Sequence, residues 1–77
     1  MIDKINILLQ TIATIRKEGE VRFKESTTRN DIWRKYPLIG MNYSFSGIED
    51  LIYIFSNAMA CGVVGFKKEG DEYVVFL

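Results

Sequence analysis

The chain contains no histidine, one cysteine and one proline, and its uninterrupted apolar runs are only a few residues long. Without His and with Cys61 alone, it has no plausible zinc set and no internal disulfide. Cys61 also lacks an imidazole to activate it, and its place near a helix C-terminus disfavours a thiolate, so it reads as a small buried packing residue rather than a nucleophile. A bilayer needs roughly 20 consecutive apolar residues. Nothing here approaches that, and Asp3 stands where a leader would carry basic residues, so a reducing cytoplasm is the expected compartment. Net charge is zero.

What the chain does have is apolar and aromatic content: 48% hydrophobic and 13% aromatic among 77 residues, enough to argue against disorder. One domain, residues 1–77, is expected. A core of this size is worth only about 3–5 kcal/mol, so burial against a partner would matter. Charge is uneven. From Arg16 to Lys35 there are seven basic and four acidic residues, whereas Gly47 to Leu77 holds two basic and five acidic ones. Such asymmetry can steer a partner or favour head-to-tail self-association.

Ile2, Ile5, Leu8, Leu9, Ile12 and Ile15 recur at helical spacing and predict a helix over Asp3 to Lys17, with Asn6, Gln10, Thr14 and Lys17 toward water and Gly19 as its stop. Glu20 to Glu25 alternates with period two, a short strand with Val21 and Phe23 inward. Ser26, Thr27 and Thr28 offer N-caps for a second helix, Arg29 to Tyr36, with Ile32, Trp33 and Tyr36 as its core face and Pro37 as its end. Leu38 to Phe45 reads as a packed loop. Ser46-Gly47-Ile48-Glu49 has the form of a capping box, opening a third helix that buries Ile48, Leu51, Ile52, Phe55 and Met59 and stops at Gly62. Two strands, Val63 to Phe66 and Tyr73 to Leu77, then flank a turn over Lys67 to Glu72.

The segment Leu51-x-x-Ile54-Phe55-x-x-x-Met59-x-x-Gly62-Val63-Val64, followed by Gly70-x-x-Tyr73-x-Val75, resembles the third helix, terminal glycine and wing of the winged helix-turn-helix family. More narrowly, Ile48 to Tyr53 through Gly62 to Phe66 and Tyr73 is similar to winged-helix modules at the C-terminal ends of bacterial P-loop ATPases of the defence type. The resemblance implies an α+β fold in the order helix, short strand, helix, helix, two-stranded wing. It also implies a module that packs within, or regulates, a larger machine.

DNA-binding members of that family place the third helix in the major groove and the wing on phosphates. Here that helix carries no Lys or Arg and begins with Glu49 and Asp50, leaving Asn57 as its one base-reading side chain. Lys67 and Lys68 at the wing tip, with Arg29, Arg34 and Lys35 on the second helix, are the remaining DNA-contact candidates, the tip lysines lying among Glu69, Asp71 and Glu72. The helix's outer face should present Asp50, Tyr53, Ile54, Asn57 and Cys61. An aromatic and an isoleucine among small residues suit a protein interface, unless Pro37 to Phe45 folds over them.

No catalytic constellation emerges. Glu49 and Asp50 diverge by about 100 degrees around a helix and Asp71-Glu72 sits in a turn, so neither pair makes an acid/base dyad. The Gly40 to Gly47 loop lacks phosphate-loop spacing and its lysine. The expected function is therefore a non-catalytic winged-helix module, without cofactor, that binds a protein partner or a second copy of itself. The alternatives are a small DNA-binding transcriptional regulator, or a phage-type inhibitor whose acidic C-terminal half imitates DNA.

Overall fold

The computed structural model describes residues 3–41 and 45–77. Ile2, and Asn42 to Ser44 of the expected loop, lie outside the described residues. The elements run α1 (Lys4–Glu18), β1 (Val21–Lys24), α2 (Arg29–Lys35), α3 (Pro37–Gly40), α4 (Ile48–Ala60), β2 (Gly65–Glu69) and β3 (Glu72–Phe76). This is an α+β arrangement in which the three strands form one antiparallel sheet of order β1-β3-β2. The sequence-predicted third helix is α4, because the stretch after Pro37 contributes a helical turn of its own.

Local chemistry accounts for the element ends. Asp3 caps α1 by accepting from the Asn6 amide at 3.0 Å. Gly19, at φ +97°, closes the helix where a side chain would be strained. Thr28 and Asp31 make a reciprocal capping box at the start of α2. Its carboxylate accepts from the Thr28 amide, which holds the Asp31 carboxyl below its ordinary range. Pro37 ends α2 but also occupies the first turn of α3, where its missing N–H costs nothing. That turn replaces part of the expected loop. At α4 the expected Ser46–Glu49 box does not form: the N-cap is Gly47, and the carboxylate of Asp50 instead accepts from the Ser46 amide at 2.8 Å and the Ser46 hydroxyl at 3.0 Å.

Residues Val21 and Phe23 of β1 stand opposite Val75 and Tyr73 of β3, and Phe66 of β2 stands opposite Val75. These side chains share one sheet face. Phe23, Phe66 and Tyr73 stack there with ring centroids 5.4–6.3 Å apart, and Phe55 of α4 lies 6.0 Å from Phe23 and 5.9 Å from Phe66. The core continues through Ile7, Ile15, Ile32, Tyr36, Ile39, Phe45, Leu51 and Ile54. The ribbon turns through Gly70 at φ +62° and Asp71, so β2 and β3 reach farther toward the tip than the six-residue turn expected from sequence.

Several expected core positions are corrected. Trp33 is 40% exposed and Met59 46% exposed, while Ile32 and Tyr36 alone carry the buried face of α2. On α4 the buried stripe is Ile48, Leu51, Ile54, Phe55 and Ala58. The helix packs against both α1 and β2, so its buried arc is drawn toward Ile54 and Ala58 and away from Met59.

Candidate functional site

The expected interface on α4 divides into buried and exposed members. Ile54 is 1% exposed and belongs to the core, which corrects its assignment to the outer face. Cys61 is exposed at the helix C-cap, not buried as expected. Asp50 is half-buried and engaged with Ser46. Asn57 is exposed, and its amide donates to the Tyr53 carbonyl one turn back at 2.8 Å, so that group is occupied within its own helix. Tyr53 remains 54% exposed and accepts the Lys4 ammonium of α1 over its ring at 4.7 Å. That contact joins the exposed edge of α4 to the first turn of α1.

Helix α1 faces the core with Ile7, Thr11, Thr14 and Ile15. Half of these positions are threonines, whose hydroxyls each donate to a carbonyl four residues earlier: Thr11 to Ile7 at 2.7 Å and Thr14 to Gln10 at 2.8 Å. Meanwhile Ile5 is 74% exposed and Leu9 59% exposed, two residues on one line along the helix with exposed Ala13 continuing it and half-buried Ile12 beside it. The expected polarity of α1 is therefore inverted at these positions: Thr14 is inside, and Ile5 and Leu9 are outside. Next to this stripe lies a groove of about 260 Å³ lined by Asn6, Gln10, Leu38 and Met41. Leu38 and Met41 are 42% and 56% exposed. Tyr53 on one flank, Ile5 and Leu9 on α1, and Leu38 and Met41 on the other flank thus surround one helix. Sequence reasoning placed Ile5 and Leu9 in the core and left Ile7 out of it. The available signal was that Ile5, Ile7, Leu8, Leu9, Ile12, Ala13 and Ile15 encircle the helix, more than one face can hold.

The DNA-contact candidates do not converge on one surface of free cations. Lys67 lies 3.5 Å from Glu69 and over the Phe76 ring; Lys68 lies 3.5 Å from Glu25 and over the Tyr73 ring. Arg29 turns its guanidinium toward the Phe45 and Gly40 carbonyls at 3.3 and 3.4 Å, where it joins α2 to α3 and the start of the α4 segment. Lys35 packs over Tyr36, and Arg34 stands near Asp31. Neighbouring Arg22 pairs with Glu20, and with Glu69 and Glu72 at 3.4 and 3.5 Å. These carboxylates, the hydrogen bond to Glu20 first, raise the guanidinium pKa. At the same ribbon the Tyr73 hydroxyl donates to Glu25 at 2.9 Å, which lowers the Glu25 carboxyl and raises the Tyr73 phenol.

Among the described residues no three His, Cys, Asp or Glu side chains come together in a metal-binding group, and no helix is long and apolar enough to cross a membrane. Comparison of the chain with protein-family models, with curated proteins and with solved structures gives no match.

Proposed function

We propose that this chain is a non-catalytic winged-helix module that works by protein–protein contact, through the face formed by the outer side of α1 and the exposed Tyr53 edge of α4. The winged-helix reading is supported by the order of elements, with a ribbon following the longest C-terminal helix and β1 joining its β3 side, and by the resemblance of Leu51 to Val75 to that family. The interface reading rests on one observation: α1 turns threonines inward while Ile5 and Leu9 stay 74% and 59% exposed. That orientation gives the domain's own core Ile7 and Ile15, yet each large aliphatic side chain left in water, Ile5 and Leu9 here, forgoes about 1.5–3 kcal/mol of burial that a partner surface would supply.

The competing DNA reading is disfavoured by chemistry already described. Glu49 and Asp50 open α4, and the ribbon lysines neighbour carboxylates. Anisotropy of a labelled random duplex separates the two. The module is expected to leave the duplex free at low salt up to tens of micromolar protein, roughly the reach of ordinary non-specific binding. Salt-sensitive binding at micromolar protein would assign it instead to DNA, with Arg34, Lys35, Lys67 and Lys68 as the next mutants.

A further inference from the structure

We draw no further inference here: the strongest candidate, the apolar side of α1 with the exposed Ile5 and Leu9, belongs to the face already described, and nothing in the structure shows what covers it.

Discussion

Tyr73 shows how a single hydroxyl ties the ribbon to the rest of the domain. Its donation to Glu25 links β3 to the residue after β1, and the two ionisations it shifts have opposite signs. The Glu25 carboxyl is lowered from 4.5, so its stabilisation is present above that pH and fades as acid protonates the folded form. The Tyr73 phenol is raised from 10.0, so its contribution is present below that pH and fades as base removes the proton. Tyr73→Phe is therefore expected to lower the urea midpoint throughout the neutral range, with the gap from wild type narrowing below pH 4.5 and above pH 10. A gap constant from pH 3 to pH 10 would show that the hydrogen bond does not contribute.

At the scale of elements, α3 depends on a close approach. A Cβ at Gly40 would stand 2.4 Å from the Trp33 Cα and 2.8 Å from its amide nitrogen, and neither backbone atom can turn aside as a side chain could. Gly40→Ala should push α3 off α2 and destabilise by about 1–3 kcal/mol, the usual cost of overpacking, which is a large share of what a domain this small possesses. Equilibrium unfolding measures it, and an unchanged midpoint would mean that α3 sits elsewhere.

The same elements show what the sequence could convey. Helix α1 was legible to within a residue or two, because periodicity depends only on the recurrence of Ile and Leu. Its facing was not, because apolar residues surround it and only tertiary contacts decide that Thr11 and Thr14 go inward. The ribbon was legible from Gly62, Gly70 and alternation, although strand limits shifted since Lys67 to Glu69 pair without being buried. Pro37 reads as a stop, yet it also permits the start of a four-residue helix too short for any periodic signal. On the outer face expected for α4, Tyr53 is exposed as read from sequence and Ile54 is buried instead, since α1 and β2 together widen the buried arc of the helix. Leu38 and Met41 were invisible, because their neighbourhood to Asn6 and Gln10 is purely a product of packing.

For the molecule as a whole, the sheet order β1-β3-β2 leaves two free edges, and both are managed. The Arg22 amide of β1 donates to the Tyr36 hydroxyl at 2.9 Å, and β2 carries Lys67 and Lys68 on its exposed length. Strand addition is thus discouraged, and the aliphatic side of α1, with Ile5 and Leu9 the most exposed of its large side chains, is the surface the proposed protein contact would use. The most direct test is equilibrium unfolding of Leu9→Glu beside the wild type and Ile7→Glu, whose native isoleucine is fully buried. With the aliphatic side of α1 turned outward, Leu9→Glu should keep its stability to within about 0.5 kcal/mol, as surface substitutions do, while Ile7→Glu should lose several kcal/mol to an unpaired buried charge; a loss in Leu9→Glu as large as that in Ile7→Glu would contradict the outward face.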